Sequence, residues 1–416
     1  STTKQWKHGI IIEAGRDPPL HILHTPSVPP CLWNSAYLGD LLQRGETPKL
    51  VNTSRKYRMQ WRTISNTSAT TREFTLEFLE QITDKFSEEH IVGRGGYGVV
   101  YKGVLENGEE IALKKLHHMP GLDDTQFRNE FNNLMRAQHP NIIRLVGYCY
   151  NLGHQCVKYD GEYIFALLEE RVLCFEYLHG GSLDKHISDE SCGLNWQTRF
   201  KIIKGVSEGL NYLHNGSRDP IYHLDLKPAN ILLDQNMVPK IGDFGLSRLF
   251  PSVQTYITTK IIGTPGYMPP KYIERYEITS KYDVFSLGVV IVRIVEGDEG
   301  YSKCAHMSSQ EFIEHVHENW GKGLQETMSS YTSEQVSTCL EIALRCVEVD
   351  REKRPTIAEI VDELNKVDTA ESSPKDKVTN RPSKHYLNQN TNSGKHLDQR
   401  YKYQLVMEAR RIVSGG

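Results

Sequence analysis

Residues Ile221 to Gly245 read IYHLDLKPANILLDQNMVPKIGDFG, and the fold turns on this stretch. Two short apolar runs, Ile231-Leu232-Leu233 and Val238 to Ile241, flank Asp234-Gln235-Asn236, a polar triplet that favours a turn. The spacing predicts a β-hairpin. Asn230 just precedes the first strand and Asp243 just follows the second, so both fall at the open end of the hairpin, close enough to share one ion. An amide oxygen and a carboxylate are hard oxygen donors, the type Mg²⁺ accepts while it keeps waters and substrate phosphates. Asp225 and Lys227 lie immediately upstream and place a proton acceptor and a phosphate-facing cation beside that metal. Either pair alone would fit a capped hairpin of no special purpose. Their order and spacing together point to chemistry.

Working outward, Gly93-Arg94-Gly95-Gly96-Tyr97-Gly98-Val99-Val100 follows the apolar pair Ile91-Val92 and runs into a second apolar run, Val99 to Tyr101. A similar glycine pattern marks the strand-to-helix turn of dinucleotide-binding folds. Here a strand follows at once, which favours a glycine-rich hairpin lying over phosphates, because only glycine lets backbone come that close. Ile111-Ala112-Leu113-Lys114 reads as a strand with an inward lysine, which needs an anion. Phe127, Glu130, Phe131 and Leu134 share one helical face. A carboxylate on an apolar face requires a cation, and Lys114 is the partner at hand.

The composition bounds the rest. A chain of 416 residues, 38% hydrophobic, can bury one large two-lobed domain with further segments at its ends. A net charge of -3 gives no general case for nucleic acid or an anionic membrane surface. Eight cysteines (Cys31, Cys149, Cys156, Cys174, Cys192, Cys304, Cys339 and Cys346) include no CxxC pair. They read as reduced thiols rather than a disulfide framework or zinc site. No apolar run approaches the ~20 residues of a membrane span. Residues 1–71 show no sustained period and are expected to be poorly ordered, with Trp6, Trp33 and Trp61 as a weaker candidate for partner binding. The tail, 368–416, is rich in Ser, Asn, Lys and Thr and is expected to be disordered.

His223-Leu224-Asp225-Leu226-Lys227-Pro228-Ala229-Asn230 followed by Asp243-Phe244-Gly245 resembles the catalytic loop and metal loop of a protein kinase. FTLEFLEQITDKFSEEH, from Phe74 to His90, resembles the lead-in of plant receptor-like kinases of the Pelle group. The resemblance covers about 74–367. It implies an α+β, two-lobed protein kinase fold: a small antiparallel β lobe with one helix (about 87–175) and a large, mainly α-helical lobe (about 179–367). It also implies a Ser/Thr protein kinase that uses ATP and Mg²⁺ and acts on protein hydroxyls, since Lys227 after Asp225 matches the Ser/Thr class.

By the same resemblance, Asp225, Lys227, Lys114 and Glu130 are the catalytic set, and Asn230 and Asp243 hold the metal. The nucleotide would lie against Val92, Gly93, Arg94, Gly95, Gly96, Tyr97, Gly98, Val99, Val100, Ala112 and Lys114, with Phe175 as gatekeeper and backbone groups of Glu176 and Leu178 at the adenine edge. Ser247 to Lys260 takes the place of the activation segment, with Ser252, Thr255, Tyr256, Thr258 and Thr259 inside it. Gly263-Thr264-Pro265-Gly266-Tyr267-Met268 resembles its substrate-facing end, and Asp283 resembles the aspartate that holds the catalytic loop.

Three departures from the family pattern stand out. Residues from Asn151 to about Glu170 are longer than the usual strand connection, and 151–163 are polar, which predicts an inserted loop. His154 and Cys156 inside it are too few for a metal site. Pro269-Pro270-Lys271 stands where kinases show Ala-Pro-Glu, so Lys271 is expected to face Arg354 as a like charge. Leu224 replaces the arginine that many kinases carry before the catalytic aspartate. This resembles the non-RD receptor-like kinases of plants, linked as a group to innate immune signalling. The expected location is the cytosol, at the inner side of the plasma membrane if a receptor portion precedes Ser1. Two alternatives remain open at this point. One is a pseudokinase or scaffold that binds ATP without efficient turnover, and the other is a small-molecule phosphotransferase with a kinase-like core.

Overall fold

The computed structural model describes residues 71–117, 123–159, 162–187, 194–250, 255–259, 261–297, 300–323 and 330–369. The expectations for 1–70 and for 370–416 lie outside these residues, as do Cys31, Cys192, Ser252, Lys260 and the side chain of His154.

The chain enters through β1 (Arg72–Glu73) and α1 (Leu76–Gln81). Thr75 caps α1, its side chain accepting from Phe78 N–H at 3.2 Å. Leu79 is fully buried, and Phe74, Phe78 and Ile82 pack on a cluster with Tyr101, Ile111, Leu113, Val172 and Cys174. The helix thus docks on the sheet lobe, as its one-sided apolar pattern predicts.

That lobe is built on β2 (Ile91–Gly95), β3 (Gly98–Val104) and β4 (Glu110–Leu116), followed by α2 (Asp123–Arg136), β5 (Leu145–Tyr159) and β6 (Glu162–Glu176). The strands form one six-stranded sheet in the order β1-β5-β6-β4-β3-β2. β2–β3, β3–β4 and β4–β6 are antiparallel, with Val100 opposite Lys114 and Ala112 opposite Phe175.

The inserted stretch is not a loop. Residues 151–159 and 162–169 continue the two strands and lie outside the compact unit formed by 73–150 and 170–369. β-prone residues (Val157, Tyr159, Tyr163, Ile164, Phe165) flank Asp160-Gly161, a dipeptide that favours two-residue hairpin connections. Polar composition concealed that signal. Leu152 and Tyr163 are exposed there.

The second lobe opens with β7 (Gly181–Ser182), α3 (Asp184–Ile187) and α4 (Trp196–Asn215), which is capped by Asn195 accepting from Thr198 N–H at 2.9 Å. Next come β8 (Ile221–Tyr222), β9 (Ile231–Leu233) and β10 (Pro239–Ile241). β9 and β10 are the antiparallel hairpin read from the sequence, with Ile231 opposite Ile241. β11 (Arg248–Leu249) pairs with β8; β12 (Tyr256–Ile257) pairs with β13 (Glu277–Ile278) beyond α5 (Pro270–Arg275).

Helices α6 (Lys281–Glu296), α7 (Gly300–His306), α8 (Ser309–Gly323), α9 (Ser330–Cys346) and α10 (Ile357–Thr369) complete the lobe. Nearly every side chain of α6 is buried, including the run from Val289 to Val292, so this apolar stretch is the core helix of the lobe. Among the described residues, no helix is long and apolar enough to cross a membrane.

Candidate active site

Strand, helix and hairpin each contribute to the site. Lys114 comes from β4 and Glu130 from the buried face of α2, where Phe127, Phe131 and Leu134 are also buried. The Lys114 ammonium donates to Glu130 Oε1 and Oε2 at 3.0 and 2.9 Å and to Asp243 Oδ1 at 2.7 Å. Glu130 is fully buried, Lys114 nearly so, and the Asp243 side chain is about one-third exposed. Burial opposes the charge on Lys114, but the Glu130 and Asp243 carboxylates outweigh it and raise its pKa. Burial likewise opposes ionisation of Asp243, yet Lys114 beside it holds the carboxyl below its ordinary value. In Glu130 burial dominates and raises the pKa against the pull of Lys114. The triad places one lysine at the meeting of strand, helix and hairpin end.

Facing it, Asp225 Oδ2 accepts from Lys227 Nζ at 2.9 Å and from Asn230 Nδ2 at 3.0 Å. Its Oδ1 accepts from the Thr264 hydroxyl at 2.5 Å, and Lys227 Nζ also donates to that hydroxyl at 2.7 Å. The Asn230 amide nitrogen reaches the Asp225 carbonyl as well, at 2.9 Å. With its nitrogen so committed, Asn230 turns its amide oxygen away from Asp225. Asn230 and Asp243 therefore remain an amide and a carboxylate at one end of a hairpin whose strands also close through Gly242 N–H to Asn230 O at 2.8 Å. This hard-oxygen donor set fits Mg²⁺. Among the described residues, no group of three or more His, Cys, Asp or Glu side chains could hold a metal ion.

The catalytic-loop backbone is held from below. Asp283, in the first turn of α6, accepts from His223 N–H and Leu224 N–H at 2.8 Å each and from His214 Nε2 at 2.8 Å. Both Leu224 and Asp243 sit in the left-handed region, with φ of 64° and 60°. Such backbone costs roughly 1–3 kcal/mol per residue and persists only where its surroundings over-determine it. Here Asp283 fixes the first, and the second is flanked by the His223 Nε2 contact to Gly242 O at 2.9 Å and by Ser247 Oγ donating to Phe244 O at 2.6 Å.

In the glycine stretch, Gly96 and Tyr97 form the tip between β2 and β3. A Cβ on Gly98 would meet the Lys115 carbonyl at 2.4 Å, so that glycine is required by the neighbouring strand; a Cβ on Gly96 would meet open space. Arg94 turns its side chain to Glu88 at the surface. Val92 and Tyr97 are exposed, whereas Phe175 is buried. At the proposed adenine edge, Glu176 N–H is already taken by the Arg144 carbonyl at 3.1 Å. Among the described residues, no hydrogen bond engages the Leu178 N–H.

Sequence reasoning missed two participants. Thr264 bridges Asp225 and Lys227, and only its place in the Gly263–Met268 motif hinted at a role. His214 supports Asp283 from α4 with its Nδ1 buried and unpartnered. One expectation needs correction: Lys271 does not face Arg354 as an uncompensated like charge. Its ammonium lies 3.2 Å from Asp350 Oδ1, both half-exposed. The pairing is made by a residue on the loop before α10, which no local pattern reveals.

Residues 86–364 match the family described as Protein kinase domain. The chain is 41% identical over 303 residues to the G-type lectin S-receptor-like serine/threonine-protein kinase SRK of Arabidopsis thaliana, covering 68% of this chain and 33% of that one. It is 39% identical over 309 residues to cysteine-rich receptor-like protein kinase 26 of the same plant, covering 71% and 44%. With cysteine-rich receptor-like protein kinase 44 it shares 39% over 297 residues, covering 68% and 74%. The chain spans a third to under half the length of the first two of these relatives.

Proposed function

The chain belongs to the protein kinase family, and from that premise we propose that it is a receptor-like Ser/Thr kinase transferring the γ-phosphoryl group of ATP to protein hydroxyls. The observation that carries this reading is the pair of convergent clusters, Glu130–Lys114–Asp243 and Asp225–Lys227–Thr264. Little covalent work falls to the protein in such a transfer; positioning and electrostatics carry the rate.

In this reading, the open space over Gly96 admits the phosphates, and Lys114, oriented by Glu130, holds them. Asn230 and Asp243 would hold Mg²⁺, which supplies charge neutralisation at the β- and γ-phosphates. Asp225 is the group that orients the substrate hydroxyl and accepts its proton; the hydrogen bond its Oδ1 accepts from the Thr264 hydroxyl at 2.5 Å supports that reading. Lys227 neutralises the transferred group. Leu178 N–H is the backbone donor open to the adenine edge, while Val92, Ala112 and Phe175 are the apolar wall.

A catalytically silent scaffold finds no support, since the full charged set is in place and the relatives are named as kinases. The relatives' receptor-like names support a location at the inner face of the plasma membrane, and Leu224 supports a role in plant defence. The test is incubation of purified protein with labelled ATP, Mg²⁺ and a generic protein substrate, with Asp225→Asn as control. Transfer by the wild type alone is expected; equal transfer by both would sink the assignment.

A further inference from the structure

The outer parts of β5 and β6, residues 151–159 and 162–169, form a two-stranded ribbon outside the compact unit. On the outer side of β5 the sheet holds β1, two residues against fifteen. Among the described residues, no strand lies beside 151–159 on that side, and β4 pairs with β6 only at 172–176. A lone two-stranded hairpin is marginally stable in water, and an unpaired edge is a template for a further strand. Residues 163–168 read Tyr-Ile-Phe-Ala-Leu-Leu, an unbroken run that puts apolar positions on both faces of the ribbon. Tyr163 is 74% and Leu152 52% exposed. Such a surface calls for a cover.

The chain carries a matching sequence just ahead of β1. From Lys56 to Arg62, apolar Tyr57, Met59 and Trp61 alternate with polar Lys56, Arg58, Gln60 and Arg62, the period of a strand with one apolar and one charged face. Residues 55–62 hold four cations and no acid, whereas 151–169 holds Asp160, Glu162 and Glu169 against Lys158. The point of entry is fixed as well. β1 is the neighbour of β5, and Phe74 N–H donates to Tyr148 O at 2.8 Å. The nine residues 63–71 span up to about 30 Å when extended, about the length of the nine-residue stretch 151–159. So short a tether keeps the segment near the open edge at a high effective concentration.

We propose that residues 55–62 of this same chain add to the open edge of 151–159 as a third strand. Tyr57, Met59 and Trp61 cover the apolar ribbon, and the four cations offset its carboxylates. In this mode of docking, main-chain hydrogen bonds supply the affinity and the alternating side chains set the register. The contact does not depend on phosphoryl transfer and stands even if the protein turns over no ATP.

Amide hydrogen exchange of the full chain, read at 151–169, tests this. Lys56→Glu/Arg58→Glu/Arg62→Glu is expected to speed exchange there by about tenfold or more and to leave the amides of α6 unchanged. Adding Asp160→Lys/Glu162→Lys to that variant restores opposite charges across the contact and is expected to recover most of the protection, which general unfolding would not allow. Wild-type protection is expected to be independent of protein concentration, as for a contact within one chain. Exchange at 151–169 that ignores the charge reversal, or a charge swap that rescues nothing, would overturn the proposal. Protection that falls on dilution would overturn it as well and would put a second copy of the chain on the edge.

Discussion

Leu224 N–H donates to Asp283 Oδ1 at 2.8 Å, and this bond holds Leu224 at a φ of 64°. A leucine gains nothing locally from the left-handed region, so the strain at the residue before Asp225 is maintained by a carboxylate 59 residues away.

Replacing Asp283 with Asn keeps the shape but leaves one acceptor oxygen for three N–H donors. We expect kcat to fall about 10–100-fold with KM for ATP little changed, and stability to fall by about 2–4 kcal/mol, because a fully buried charged partner is lost. Steady-state kinetics and thermal unfolding check both.

The acid side gives a separate test. Burial opposes ionisation of Asp283, but the hydrogen bond and charge of His214, together with His223 and the Leu224 N–H, outweigh it and lower the pKa below the ordinary 3.8. A depressed carboxylate stabilises the fold above its ordinary pKa, and the contribution is lost as the pH falls through the lower folded value. The melting gap between wild type and Asp283→Asn should therefore be constant above 3.8 and narrow below it. A gap that widens on acidification would show that Asp283 is not held ionised.

Lys114→Met and Asp243→Asn are each expected to lower phosphotransfer at least 10²–10³-fold. The residue types alone imply ligand-facing groups whose loss leaves unfolding unchanged, but burial makes the two variants differ. Without Lys114, Glu130 is a fully buried carboxyl that has lost its counter-charge, at an expected cost of about 3–5 kcal/mol. Lys114→Met/Glu130→Gln should melt higher than Lys114→Met alone while remaining inactive. If the single and double variants melt together, Glu130 does not depend on Lys114 for its counter-charge.

Leu224 is fully buried in a cluster with Tyr222, Phe250, Met268, Tyr272, Ile278 and Tyr282. Rings of Tyr256, Phe250 and Tyr222 follow one another at 4.2 and 4.6 Å, so apolar contact joins the activation segment to the catalytic loop. A leucine cannot bind phosphate. The Thr255/Thr258/Thr259 triple alanine variant should keep most of its activity towards a generic substrate, whereas Phe250→Ala should lose at least tenfold through the lost packing, about 3–5 kcal/mol. Collapse of the triple variant would mean that another cation reads phosphate on this segment.

Residues 151–169 fall outside the compact unit that contains the clustered charges. Replacing 152–168 with a Gly-Asn connection is expected to leave activity on a generic peptide within about twofold, since surface hairpins of this kind tolerate excision. A larger loss, measured with folding verified by circular dichroism, would give the hairpin a part in the core lobe.

By itself the sequence determined what is local. The β9–β10 hairpin with Asn230 and Asp243 at its open end, the glycine turn at Gly96, the inward Lys114 and the buried Glu130 all follow from period and spacing within a few residues. Side-chain periodicity is set by backbone geometry, so these features are legible without the fold. Tertiary structure alone decided which distant groups meet. Thr264 joins Asp225 across 39 residues and Lys271 finds Asp350 across 79, whereas the hold of Asp283 on the catalytic loop was expected from the family resemblance and not from any local pattern. The inserted strands also escaped, because their polar residues masked β-prone flanks around Asp160-Gly161. Such pairings depend on how whole elements pack, and packing brings together charges whose separation along the chain carries no pattern.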